Sequence, residues 1–311
     1  MSSRTNAPLT PPLTADERRI EQRLRDHVER LAGLIGPRHV GRPTSLEAAA
    51  SYIEQQFAHG TGETVERQCY TAAGRRVANL VIDRPGTRDP HRIVLVGAHY
   101  DAVPETPGAD DNASAVAAVI EVARRLHGRA LRRTVRFIAF VNEEPPHFYT
   151  QTMGSQVYAR QCKQRREQIV GLICLEMVGY FDTRPGSQHY PRPIAWPARW
   201  LMPRAGGFIG AVSNLVSARL LWRFRRGFKR AVKFPLVAVP LPQAIREIRL
   251  SDHGPFWDEG FAALMVTDTS FFRNPHYHRA TDTPDTLDYE RLTRVVAGVA
   301  GGVVSVAGGE D

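Results

Sequence analysis

His99 and Asp101 follow the apolar run 93–96 in the segment GAHYD, and Asp110 and Asp111 come next in PGADDNAS. A second apolar run, 135–141, leads into NEEPP with Glu143 and Glu144, and a third, 170–175, stops at Glu176. Near the C-terminus, NPHYHRATDTPDT carries His276, His278 and Asp282. Taken singly, each has an ordinary reading as a cap, a surface group or a hydrogen-bonded core residue. Together they would share one cleft, because the reactive groups of open α/β sheets gather at the carboxyl ends of the strands. Carboxylates so close repel one another severely unless cations offset them. A bound metal is the economical explanation, and mixed histidine and carboxylate donors favour zinc, cobalt or manganese over magnesium or calcium.

Charge counting points to two ions. If His99, Asp111, Glu144, Glu176 and His278 are ligands, the shell carries −3, and a hydroxide with an ionised Glu143 makes it −5. Two divalent ions reduce that to −1, whereas one leaves −3 in a partly dry cleft. Sites of this type commonly share a bridging carboxylate and a water poised to attack a carbonyl. Glu143 and Glu144 point to opposite sides of an extended segment, and Pro145 biases Glu144 towards such a backbone. One can ligate while the other manages the water's proton. Asp101, two residues past His99, falls on the histidine's side of the chain and is placed to hold its second ring nitrogen. A plain structural aspartate is the competing reading.

The elements that must position these groups are five short apolar strands, at 77–82, 93–96, 135–141, 170–175 and 262–266. Ile20, Leu24, Val28, Leu31 and Leu34 recur at helical spacing, and further helices are expected at 45–57 capped by Thr44 or Ser45, at 113–127 capped by Asn112, at 151–163 and at 288–306. Near-continuous apolar strands alternating with helices imply a single α/β domain, its mixed and mainly parallel central sheet covered by helices on both faces. That domain should span 14–308, after a Ser, Thr and Pro-rich tail at 1–13 that reads as disordered.

The interval 183–246 breaks the rhythm with eight prolines and reads as an insertion over one sheet edge. It holds twelve Arg or Lys and no Asp or Glu, so with an overall charge of +9 the rest of the chain nets −3. Such asymmetry fits an anionic partner or simply a solvated face; only three lysines occur, so arginine usage is high throughout and the solvated face is the plainer account. If the cations lie near the cleft, they would favour acidic peptides. Within the interval Leu220, Leu221, Phe224, Phe228 and Val232 form one helical face of a cationic amphipathic helix, whose ordinary fate is to dock on the domain. Cys69, Cys162 and Cys174 form no metal-type spacing and read as buried thiols. Neither a run of about 20 apolar residues nor a secretory leader is evident, so a soluble cytoplasmic chain is expected, with no nucleic acid among its partners.

In GAHYD, PGADDNAS, FVNEEPP with the later MGS, LEMVGYFD, SDHGPFW and VTDTSFFRNPHYHRATDTPDTLDYERL, the sequence resembles the zinc-dependent exopeptidases of clan MH. Within that clan it resembles the di-zinc aminopeptidase family, to which glutamate carboxypeptidase and glutaminyl cyclase are related. The resemblance implies the zinc exopeptidase fold, two zinc ions replaceable by cobalt or manganese, and a peptide or aminoacyl substrate. It also implies that His99, Asp111, Glu144, Glu176 and His278 bind metal, with Asp111 as the bridge and Glu143 as the general base; Asp101, beside His99, joins Glu143 as a catalytic candidate through its hold on that ring. Asp110 and His276 are then neighbours without a metal, and Asp252 and His253 line the substrate side. Glu176 departs from the family's more usual Asp, and Ala115 from its Gly; the longer carboxylate can still reach a metal. Two other readings remain, a cyclase-type transferase on one zinc and a non-catalytic binding module of the same fold.

Overall fold

A computed structural model describes residues 11–308. Eight strands form one sheet: β1 (Glu66–Ala72), β2 (Arg75–Arg84), β3 (Asp89–His99), β4 (Arg133–Phe140), β5 (Gln168–Glu176), β6 (Ile209–Asn214), β7 (Leu236–Leu241) and β8 (Ala263–Thr267). Their order is β1-β2-β4-β3-β5-β8-β6-β7. The central strands β4, β3, β5 and β8 run parallel, and antiparallel pairs stand on either side of them. The five expected strands are thus β2, β3, β4, β5 and β8. The other three were missed.

Of these, β6 and β7 come from the proline-rich interval 183–246 and pair in parallel at the far edge. Pro240 is tolerated in β7 because an edge strand has one side free of ladder hydrogen bonds. The third, β1, is the opposite edge, and its polar run ERQCYTA hides it. There Cys69 is exposed, whereas Cys162 and Cys174 are buried free thiols.

Alternation along the strands divides the core into two layers. Val94 and Val96 of β3 face helices α1 (Ala15–Val28), α2 (Pro43–Thr61), α3 (Ala115–Leu126), α6 (Ala218–Ala231) and α8 (Tyr289–Ala307). Ile93 and Leu95 face the other way, towards α4 (Gly154–Gln164) and α7 (His253–Asp258), and α5 (Arg192–Leu201) lies on this second side through Ile194. As its pattern required, α6 docks Leu220, Leu221, Phe224 and Phe228 inward. Its chief partner is α8, where Gly298, Gly301 and Gly302 let it approach: a Cβ at any of them would meet Phe228, Ala231 or Phe224 within 2.5 Å.

Three local expectations are corrected. α2 starts at Pro43, with Arg42 at its cap and no side-chain bond there, because proline needs no amide partner in the first turn. Asn112 does not cap α3; Ser114 occupies that position, and Asn112 serves the site described below. After α1 the chain widens into a π-type turn over Glu29–Ile35, which shifts the helical phase and leaves Leu34 74% exposed. The expected disorder of residues 1–13 falls mainly outside the described residues; at its end Leu13 is buried, and Thr14 caps α1 in a reciprocal pair with Glu17.

One buried charge ties the helical layer together. Glu121 on α3 accepts from Arg23 at 2.7 Å and faces His27 at 3.4 Å, both on α1. Burial alone would raise the carboxyl, but hydrogen bonds from His27 and Arg23 outweigh it and hold it down at about 2, from the ordinary 4.5. A depressed folded-state value stabilises the fold above the unfolded value and loses that contribution as pH falls towards 2. Glu121→Gln should therefore cost on the order of 3 kcal/mol at neutral pH and flatten the acid limb below about pH 4.5, as read from chemical denaturation across pH.

Candidate active site

The carboxyl edge of the parallel strands delivers the expected groups to one place. His99 ends β3, Glu176 ends β5, Glu143 and Glu144 follow β4, Asp111 sits in the turn before α3, and His278 lies in the loop after β8. His99 Nε2 stands 3.4 Å from Asp111 Oδ1 and 3.4 Å from Glu176 Oε2. On the other side of Asp111, its Oδ2 is 3.2 Å from His278 Nε2, which is in turn 3.3 Å from Glu144 Oε2. Three groups could each hold an ion, with their donor atoms within 4.8 Å of one another: His99, Asp111 and Glu176; Asp111, Glu144 and His278; and His99, Glu143 and Glu144. Glu143 Oε2 approaches His99 Nε2 at 3.9 Å.

Electrostatics marks the cluster as short of positive charge. Burial pushes Glu143 well above the usual carboxylate range, with Glu144 and Glu176 adding to the effect and His99 opposing it. Burial, then Asp111, lifts Glu144 to about 8 against the pull of His278. Burial opposes protonation of His278, yet Asp111 and Glu144 raise it to about 10. His99 Nε2 and Glu144 Oε1 are buried without a hydrogen-bond partner among the described residues. Buried polar atoms are normally paired, so an orphaned imidazole nitrogen and an orphaned carboxylate oxygen within this acidic cluster fit bound cations.

Two aspartates hold the ligand-bearing backbone. Asp101 accepts from the amides of Glu143 and Glu144, each at 3.1 Å, so its carboxylate grips the whole acidic pair. At His99 Nδ1 it presents its main-chain carbonyl at 3.2 Å, with the carboxylate at 3.5 Å. Asp282 repeats the arrangement, accepting from the amides of Asp110 and Asp111 at 2.9 and 3.1 Å. Arg38, fully buried, donates to the carbonyls of Tyr100, Pro107 and Gly108, and so joins the segments that carry Asp101 and Asp111. Burial lowers its pKa while Asp101, Asp282 and Asp111 raise it, which leaves a charged guanidinium at neutral pH. Asn112 donates to Glu176 Oε2 at 3.4 Å and accepts from the Met177 amide, and Ser251 donates to Glu176 Oε2 at 2.7 Å. The Asp111–Asn112 peptide bond is cis.

Of the remaining sequence candidates, Asp252 lies close enough to the cluster for its charge to help raise Glu143, and the others turn to separate partners. Asp110 turns away to Gly179, Ser114 and Asn274, and His276 to Thr281. Asp252 and His253 do not line the cleft: both are fully buried beneath it, His253 against Trp257 and the Ile248 carbonyl. A cavity of about 190 Å³ opens beside the ligand cluster instead, walled by Phe208, Val212, Val237, Val239 and Met265 of the sheet and by Tyr277. Val212, Val237 and Val239 among these walls come from the second face of β6 and β7. Helix α6, with Arg223, Arg226 and Arg230, packs on the first, so its cations do not reach the cavity. These three therefore give no direct contact by which an acidic peptide would be preferred.

Residues 79–303 match the model of peptidase family M28. The chain belongs to peptidase family M28. It is 34% identical over 286 residues to the uncharacterized protein YfbL of Escherichia coli K12, covering 89% of this chain and 86% of that one. A probable leucine aminopeptidase of Trichophyton verrucosum is 25% identical over 228 residues, 69% of this chain and 53% of its own, so the M28 chain spans about half of that relative. Among solved structures, the zinc aminopeptidase BSAP of Bacillus subtilis superimposes with a TM-score of 0.68 at 16% identity, covering 91% and 94% of the two chains. A glutaminyl cyclase of Fimbriiglobus ruber does so with 0.64 at 17% identity, over 98% and 99%. These two likenesses are of fold. Family membership makes this protein a metal-dependent peptidase, and zinc fits its nitrogen and oxygen donors.

The double clamp by Asp101 is testable apart from catalysis. Asp101→Asn retains one acceptor oxygen for two amides and should leave one unpaired, destabilising the fold by about 1–3 kcal/mol and weakening zinc retention. Denaturation of the metal-free protein and zinc content after dialysis measure the two effects separately.

Proposed function

We propose that this M28 peptidase is an aminopeptidase with two zinc ions per chain, His99 and Glu176 holding one, Glu144 and His278 the other, and Asp111 both. The observation that carries this reading is the position of Asp111, whose two oxygens face different histidines at 3.4 and 3.2 Å. Zinc, when bound, would polarise the scissile carbonyl and acidify the attacking water. Glu143 accepts that water's proton at its carboxylate and returns it to the leaving amine; its Oε2 stands 3.9 Å from His99 Nε2, beside the ligand cluster. Asp101 orients Glu143 through its amide and fixes the ring of His99 through Nδ1. The apolar cavity takes the side chain of the residue to be removed. Its lining and the aminopeptidase names of relatives support release of an apolar N-terminal residue.

Purified protein should contain close to two zinc ions per chain and lose activity on chelation, with recovery on adding zinc, cobalt or manganese. One ion per chain without peptidase activity would instead favour cyclase chemistry, and metal-free activity would overturn the reading. Glu143→Gln should keep both ions while kcat falls by roughly 10²–10⁴-fold. Asp111→Asn should lose metal, and Asp110→Asn should not.

Leucyl substrates should exceed glutamyl ones in kcat/KM by at least about tenfold, since burying a charge in the apolar cavity is costly. Steady-state rates on the two aminoacyl amides decide it; a preference for the glutamyl amide would restore a role for the basic interval.

A further inference from the structure

Helix α5 faces two ways. Ile194, and Met202 just beyond its end, line the cavity. Trp196 and Trp200 on the other side, and Leu201 at the helix end, are 70%, 72% and 82% exposed. Positions 192, 196 and 200 are four apart and form one stripe along the helix, headed by the exposed Arg192. Arg204, also exposed, stands just past its end. No Asp or Glu occurs anywhere in 183–246. Most large apolar side chains in this protein are buried, so two tryptophans and a leucine together on one short helix form a surface with a purpose.

We propose that α5 is an interfacial docking element that seats the enzyme on an anionic phospholipid surface. Trp196, Trp200 and Leu201 enter the boundary between headgroups and acyl chains, and Arg192 and Arg204 meet the lipid phosphates. Tryptophan suits that boundary because its ring is apolar while its N–H still finds a polar partner. Arginine pairs with phosphate through two parallel hydrogen bonds. No helix among the described residues is long and apolar enough to cross a membrane, and α5, at ten residues, would lie in the interface plane.

Charge decides against a second copy of the chain as the occupant. A two-fold contact through α5 would set Arg192 and Arg204 of one copy against the same cations of the other, with no carboxylate from 183–246 to separate them. Because the same segment lines the cavity, docking would also hold the cleft close to the lipid surface.

The test is co-sedimentation of the full chain with phosphatidylcholine vesicles, with and without phosphatidylglycerol. Binding should require the anionic lipid, weaken as salt is raised, and shift tryptophan emission to the blue. Trp196→Ser, Trp200→Ser and Leu201→Ser combined should lower vesicle affinity by at least about tenfold, with circular dichroism and zinc content as the check that the fold is intact. Arg192→Glu with Arg204→Glu should abolish the preference for anionic lipid. Failure to bind either vesicle, or equal binding by the triple variant, overturns the proposal. So does a parent dimer that the triple variant converts to monomer, which would assign the surface to a second copy.

Discussion

The constraint on which this structure turns is the concentration of buried negative charge at one sheet edge. Asp101, Asp110, Asp111, Glu143, Glu144, Glu176 and Asp282 are all less than a tenth exposed and lie within a few ångströms of one another or of a shared partner. An uncompensated carboxylate in such surroundings takes up a proton, as the upward shifts of Glu143 and Glu144 register. The chain supplies part of the compensation without any bound ion. Backbone amides point at Asp101 and Asp282, His99 and His278 stand among the acids, and Arg38 brings a full positive charge beneath them. The remaining shortfall is the electrostatic basis of metal affinity. Filling every carboxylate with an internal partner would make a more stable protein and a poorer zinc site.

Neutralisation and positioning are done by the same contacts. Each of Asp101 and Asp282 binds two successive amides, and in both cases those amides belong to adjacent acidic residues that point in different directions. Gripping both amides fixes the peptide plane between the residues, so the divergence of Glu143 from Glu144, and of Asp110 from Asp111, is set by the backbone and needs no force from the ligand. Asp110 shows what the divergence is for. It spends its carboxylate on Gly179, Ser114 and Asn274, anchoring the turn that presents Asp111.

How much of this the sequence discloses follows from the range of each interaction. Groups at the ends of apolar strands are legible because strand direction alone sends His99, Glu143, Glu144 and Glu176 to a common edge. The clamp by Asp282 joins residues about 170 apart in the chain, and Arg38 meets Tyr100 across 62, so no local spacing records them. Asp252 and His253 are a related case: two polar residues in SDHGPFW suggest a cleft wall, but at the start of α7 both are fully buried. Prolines hid β6 and β7, since proline is a fair sign of a loop in the middle of a sheet and a poor one at its edge.

The interval 183–246 shows how composition can mislead where topology does not. Its charge is one number along the sequence but two surfaces in the fold, because β6 and β7 separate what lies before them from what lies between them. The connecting helix α6 falls on the first side of the sheet and buries its apolar face on α8, with Arg223, Arg226 and Arg230 left far from the cleft. The preceding helix α5 falls on the second side, where Ile194 borders the cavity. The cavity is walled by valines and phenylalanines, although the stretch of chain that supplies many of them is the most cationic in the protein. Selectivity in such a cleft is governed by the strand residues at alternate positions that face it, and net charge acts only on what approaches the outer surface.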